Sequence, residues 1–218
     1  MQSFRKFFLA ILWLGFTVFM QAQYKGRVGS NADWYVGVNG GANYLLAESS
    51  SIYTKAQPFD AVGYSVRFEV GYNFNPVLGL RGMISENVHR WPDDRLENPD
   101  RTFKVSGLTS QTVTMDATVN LLKLGKLPKQ TFVDFIAFGG LGAAYLGNNV
   151  LNSRFSPVFR FGLQGNYKLT PVLDLNLMGE VNILGDNYND YIGGKSFDAF
   201  PAICVGVSYH LNPVNNKQ

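Results

Sequence analysis

An eight-stranded, all-β, antiparallel up-and-down barrel is the fold this sequence predicts. Three observations predict it: two-residue hydrophobic periodicity along the chain, no convincing helical stretch after the first 22 residues, and connections that alternate in length. The composition agrees. With 218 residues the chain can form one domain or two small ones. Only 16% of residues are charged, against about 25% in an ordinary soluble domain. Aromatics reach 14% and glycines number 23, while 46% apolar content excludes a disordered tail or a helical membrane bundle.

Residues 1–22 are expected to be a cleaved secretory signal peptide. Arg5 and Lys6 precede an apolar run of 14 residues, Phe7 to Met20, short of the roughly 20 that span a bilayer. Ala22 offers a small residue for cleavage, and no cysteine follows for lipid attachment. Without Arg5 and Lys6 the 19 basic residues become 17, against 16 acidic ones. A near-neutral mature chain excludes a sequence-independent nucleic-acid binder, which needs a basic surplus. The single cysteine, Cys204, excludes an internal disulfide framework and a multi-cysteine zinc site.

From residue 23 onward the strands follow in order. The first sets Trp34, Val36, Val38, Ala42 and Tyr44 against Asp33, Tyr35, Gly37, Asn39 and Asn43. The second sets Val62, Tyr64, Val66, Phe68, Val70 and Tyr72 against Gly63, Ser65, Arg67, Glu69 and Gly71, and Asn75-Pro76 turns the chain. The third carries Leu78, Leu80, Ile84 and Val88 against Arg81, Ser85 and Asn87. The fourth carries Val113, Met115, Ala117 and Val119 against Thr112, Thr114, Asp116 and Asn120. In the fifth, Val133, Phe135, Leu141 and Tyr145 share a face, and the other, with Ile136 and Phe138 beside Asp134, is the least polar of the set. The sixth sets Phe155, Phe159, Phe161, Leu163 and Tyr167 against Arg160, Gln164, Asn166 and Lys168, before Thr170-Pro171 turns the chain. The seventh sets Leu173, Leu175, Leu177, Val181 and Ile183 against Asp174, Asn176, Glu180 and Asn182. The eighth ends with Ile203, Val205, Val207, Tyr209 and Leu211.

Alternation alone does not say which face points outward. A soluble barrel would cover its exterior with Lys and Glu. Here the polar face holds a few balanced charges among Gly, Ser, Thr and Asn, and the apolar face carries one charge, Glu86. Small residues with few charges suit a narrow packed lumen, so the apolar face is expected to meet lipid. Tyr and Trp near the strand ends suit interfacial girdles: Trp34, Tyr72, Tyr167 and Tyr209 at one end, Tyr44, Tyr64, Trp91 and Tyr145 at the other. The long connections, near Ala47–Asp60, Pro92–Thr102, Gly147–Asn152 and Asp186–Phe197, share one end. The expectation is a monomeric transmembrane barrel over residues 23–211, with a periplasmic tail over 212–218.

The last strand, Cys204-Val205-Gly206-Val207-Ser208-Tyr209-His210-Leu211, resembles the C-terminal assembly signal of outer-membrane β-barrels, carried by Gly206, Tyr209 and Leu211. It departs from that pattern in having Cys at the usual polar position and a tail beyond the strand. Segments such as Trp34 to Asn43, Phe161 to Tyr167 and Asp174 to Leu177 resemble the small eight-stranded barrels of the outer-membrane protein A type. The resemblance implies a cell outer membrane location in a Gram-negative envelope, barrel-assembly machinery and membrane lipid as partners, and no cofactor. The peptidoglycan-binding domain that follows the barrel in longer members is not expected here.

Within the lumen, Arg67, Glu69, Arg81, Asp116, Arg160 and Glu180 form the expected charge network. Glu69 with Arg81, and Arg160 with Glu180, should lie nearly opposite across short turns. Unpaired charges in a confined lumen are costly, so pairing is expected. A barrel of eight strands is too narrow to conduct once side chains fill it. The function expected is therefore non-enzymatic: a structural envelope role, or surface contact with an unidentified extracellular ligand through the outer loops. A narrow porin-like pore, or the barrel component of a transport or secretion apparatus, is the alternative. A lipid-modifying enzyme is the third, resting on His210 with Ser208 and Asp174, or His89 with Ser85, Asp93 and Asp94. Asp186 to Asp190 lacks the spacing of a calcium loop. Gly139-Gly140-Leu141-Gly142 sits within a strand pattern where no phosphate-binding helix follows.

Overall fold

A computed structural model of the chain describes residues 33–46, 62–93, 104–125, 132–146, 154–185 and 197–211. The expected signal peptide, most of the four long connections and the tail lie outside the described residues. Eight strands run in chain order: β1 (Asp33–Tyr44), β2 (Val62–Asn73), β3 (Leu78–Asp93), β4 (Lys104–Asn120), β5 (Val133–Leu146), β6 (Arg154–Lys168), β7 (Leu173–Gly185) and β8 (Phe197–His210). Each pairs antiparallel with the next, and β8 pairs with β1 to close the barrel.

The short turns follow from their side chains. Asn75 Oδ1 accepts from the N–H groups of Val77 at 2.8 Å and Leu78 at 2.9 Å, fixing the β2–β3 reversal. Thr170 Oγ1 accepts from the N–H of Val172 at 3.3 Å in the β6–β7 turn. Two features differ from the sequence expectation. A one-turn helix, α1 (Leu121–Leu124), follows β4, its first turn capped by Asn120 accepting from the Lys123 N–H at 3.2 Å. Four residues are too few to show a helical period. The β3–β4 ladder also runs on to Asp93↔Lys104, so strand pairing takes up part of the expected Pro92–Thr102 connection.

Closure is staggered. Starting at Tyr35, successive cross-strand partners are Gly71, Arg81, Asp116, Gly140, Arg160, Asn182 and Phe200. From Phe200 the row returns to β1 beside the Leu46↔Ala199 bridge, at the level of Leu45, ten residues from Tyr35. With about 3.3 Å rise per residue and about 4.8 Å between strands, that stagger tilts the strands by about 40°.

The two faces are those of an inside-out protein. Leu141 is 67% exposed, Ile203 66% and Met115 61%, all on the outer face, whereas Arg67, Arg81 and Arg160 are among the largest fully buried side chains. Trp34 lies 4.8 Å from Tyr72 at the turn end, and Tyr145 lies 5.0 Å from Phe155 at the loop end. Interior glycines make room for large neighbours. A Cβ at Gly37 would lie 2.7 Å from Glu69 Oε1, and one at Gly71 would overlap the Tyr35 ring. Toward the loop end the lumen turns apolar, with Leu45, Ala144, Leu146, Val158, Leu184 and Phe200 in one buried cluster.

Candidate functional site: a charge network inside the barrel

β2, β3, β4, β6 and β7 bring the six network residues together in one connected chain of ion pairs. Glu69 meets Arg81 at 3.3 Å, and Arg81 meets Asp116 at 2.9 Å. Asp116 also contacts Arg160, which donates from Nε to Glu180 at 2.8 Å. Glu180 in turn meets Arg67 at 2.7 Å. Three guanidinium groups therefore match three carboxylates, in side chains at most 1% exposed.

Neutral groups complete the shell. Gln164 Oε1 accepts from Arg81 at 2.6 Å, Asn182 donates to Glu180 Oε1 at 2.7 Å, and Ser208 donates to Glu69 Oε1 at 3.3 Å. Phe138 lies between two arginines, its ring centroid 4.4 Å from the Arg81 guanidinium carbon and 4.6 Å from that of Arg160. Arg67 is held least: its Nε finds no acceptor among the described residues.

The sequence-level pairing needs correction in its geometry. Arg81 stands directly across from Gly71, not Glu69, and Glu180 stands across from Gly162, not Arg160. Both pairs are diagonal, two residues apart along the strand. The long arginine side chains cover that offset.

Neither proposed serine–histidine pair forms. Ser208 is engaged by Glu69 and by Asn176, whose amide donates at 2.9 Å. His210 instead sits between Asp33, in close contact with Nδ1, and Asp174, 3.1 Å from Nε2. Ser85 accepts from Asn87 at 3.2 Å. His89 turns to Asn43 Oδ1 at 2.9 Å and Ser110 Oγ at 3.3 Å, with the Phe200 ring tilted against it at 4.8 Å. Asn43 uses its amide N–H groups on Ser65 and the Val88 carbonyl. Its Oδ1 therefore faces the ring as an acceptor, which places the histidine proton on Nδ1 and leaves Nε2 to accept from Ser110. That connectivity can activate a serine, but Ser110 is fully enclosed and this trio reads as a structural tie. No sequence spacing signals it, because Asn43, His89 and Ser110 lie on three different strands.

Among the remaining candidates, Gly206 pairs with Asn39 and Asn176, Tyr209 is 48% exposed on the outer face, and the Leu211 N–H donates to the Trp34 carbonyl at 2.8 Å. Gly139 to Gly142 is extended within β5, so a phosphate-cradling loop is not formed there. Cys204 is buried against the lumen. The Asp186–Asp190 segment and Asp94 lie outside the described residues. Among the described residues no cluster of three His, Cys, Asp or Glu is arranged to hold a metal.

The barrel has known counterparts. A major outer membrane protein from Thermus thermophilus matches with a TM-score of 0.50 and 14% identity, over 82% of this chain and 99% of that one. Neisserial surface protein A matches at 0.49 and 18%, over 82% and 97%. Ail, the attachment invasion locus protein of Yersinia pestis, matches at 0.49 and 10%, over 83% and 99%. At 14% identity the match to the Thermus protein speaks to the fold alone, and with the strand order above that fold is the small eight-stranded outer-membrane barrel. No protein-family model matches the chain, and no curated protein does.

Proposed function

We propose that the chain is a non-enzymatic outer-membrane protein, with its barrel in lipid, its turn end toward the periplasm and its loop end at the cell surface. Its role is structural in the envelope, or contact with an extracellular ligand through the long connections. One observation carries this: the barrel is apolar outside, and its lumen is crossed by a charge-balanced chain of buried ion pairs. Such a chain excludes a continuous water path unless several charge-assisted bonds break together. Membrane lipid and the assembly machinery acting on the strand ending Gly206 to Leu211 are the partners this reading needs.

The test is twofold. Closed barrels resist detergent until boiled, so unheated and heated protein should migrate differently on a gel. Reconstituted in a planar bilayer, it should give no steady conductance. Identical migration of inserted protein would refute the barrel in lipid, and sustained conductance would replace the structural role with a pore.

A further inference from the structure

Apart from the central network, the turn end of the barrel carries a second run of charges. Lys123 Nζ lies 3.3 Å and Lys168 Nζ 2.9 Å from the same Asp134 oxygen. Lys168 stands directly across from Asp174 on β7. Asp174 Oδ2 lies 3.1 Å from Nε2 of His210, whose Nδ1 is in close contact with Asp33. The run therefore passes through α1, β5, β6, β7, β8 and β1, and crosses the seam where the barrel closes. Its three carboxylates face two lysines, so it is neutral when one further proton sits among Asp33, His210 and Asp174.

Hydrogen-bond chemistry says where that proton is. A neutral imidazole has one N–H and one bare nitrogen, and a bare nitrogen facing a carboxylate sets lone pair against lone pair. Both ring nitrogens of His210 face carboxylate oxygens. An imidazolium gives each of them an N–H donor, and imidazole is the more basic partner, ordinarily by about two to three pH units. His89 differs, because its two contacts are an amide oxygen and a hydroxyl, and one ring proton satisfies both.

The position of the ring gives the charge a purpose. His210 is the last residue of β8, directly across from Tyr35 of β1, and its backbone N–H donates to the Val172 carbonyl at 2.8 Å. Asp33 reaches the ring from the β1 side and Asp174 from the β7 side, each two residues off the direct partner. The His210 side chain is 19% exposed, so water at the mouth can exchange its proton.

We infer that His210 is an imidazolium whose charge latches β8 between β1 and β7, closing the turn end of the barrel seam. Because its two carboxylates sit on opposite sides of the last strand, the latch forms only when that strand has reached the first. The central network holds the middle of the wall, and this second run holds its end.

The chain has two histidines, so isotope-labelled histidine in the barrel held in nanodiscs reports four ring nitrogens by NMR. At neutral pH three should be protonated and one bare. His210→Gln should remove two protonated nitrogens and leave one of each kind from His89; removal of a bare nitrogen would overturn the imidazolium. The latch is read from urea unfolding in lipid vesicles, scored by the heat-dependent gel shift. His210→Gln should unfold about tenfold faster through the loss of charge-assisted bonds. His210→Lys keeps the charge and should stay within about twofold of the parent. Asp33→Asn should have a smaller effect in His210→Gln than in the parent chain, since its charged partner is already gone. Equal rates for the Gln and Lys variants would overturn the latch. Failure of His210→Gln to assemble while His210→Lys assembles supports it, whereas failure of both shows that the ring and not its charge is needed, and overturns it.

Discussion

Replacing Asp116 with alanine should cost the barrel about 3–5 kcal/mol, the range for breaking a buried pair by removing one partner. Asp116 Oδ2 accepts from Arg81 Nε at 3.1 Å and Nη2 at 2.9 Å, and contacts Arg160 as well. Both guanidinium groups are at most 1% exposed. Water therefore cannot rehydrate them when the carboxylate goes. Each arginine keeps a second acceptor, Glu69 or Glu180, which holds the cost within that range instead of doubling it. Asp116→Asn retains an acceptor oxygen but no charge, and should lose about 1.5–3 kcal/mol. Pairing Asp116→Ala with Arg160→Met restores charge balance, so the double variant should be more stable than the two single losses predict, with a coupling of about 0.5–3 kcal/mol. The assay is urea unfolding in lipid vesicles, followed by the heat-dependent gel shift. Repeating it between low and high salt should change little, since buried pairs are screened far less than exposed ones. A cost for Asp116→Ala below about 1 kcal/mol, additive with Arg160→Met, would refute the buried network as described.

Four further substitutions test separate parts of the structure. Val66, 54% exposed on the outer face, should cost about 2–4 kcal/mol as arginine if it meets lipid near the midplane, and the cost should vary with vesicle thickness; independence from the bilayer would invert the face assignment. Phe138→Ala removes the ring between two guanidinium groups and should cost about 3–5 kcal/mol, measured by the same unfolding assay. Gly37→Val drives a side chain into Glu69 and should cost about 1–3 kcal/mol, whereas Gly40→Ala, whose Cβ would lie 3.9 Å from its nearest neighbour, should stay within about 0.5 kcal/mol. Equal effects at the two glycines would contradict the inward and outward assignments.

Strand faces were legible in the sequence because a two-residue period survives any tilt or stagger of the strands. The six charges stood out because so few others share their face. Their diagonal geometry was not legible, since it depends on the centre of each turn and on the ten-residue stagger, which no single strand encodes. The apolar cluster at the loop end was also hidden. Val158, Leu184 and Phe200 occupy inward positions that a simple apolar-out rule assigns to lipid, and only the closed barrel shows that they face each other. The Asn43–His89–Ser110 tie was invisible for the same reason, its members meeting inside the barrel from β1, β3 and β4 while lying far apart along the chain.

The charge chain also counts strands. Glu69 and Arg81 arrive together with the β2–β3 hairpin, and Asp116 joins 35 residues after Arg81. Arg160 comes 44 residues after Asp116, and its second carboxylate, Glu180, belongs to β7. A sheet that closed after β6 would trap three network arginines with two carboxylates, leaving Arg67 and Arg160 short of the acceptor they share. Adding β7 restores neutrality, and β8 brings Ser208 back to Glu69 across 139 residues of chain. Closure directly after β6 is thus electrostatically unfavourable, whereas a circle that includes β7 and β8 pairs every charge in the network.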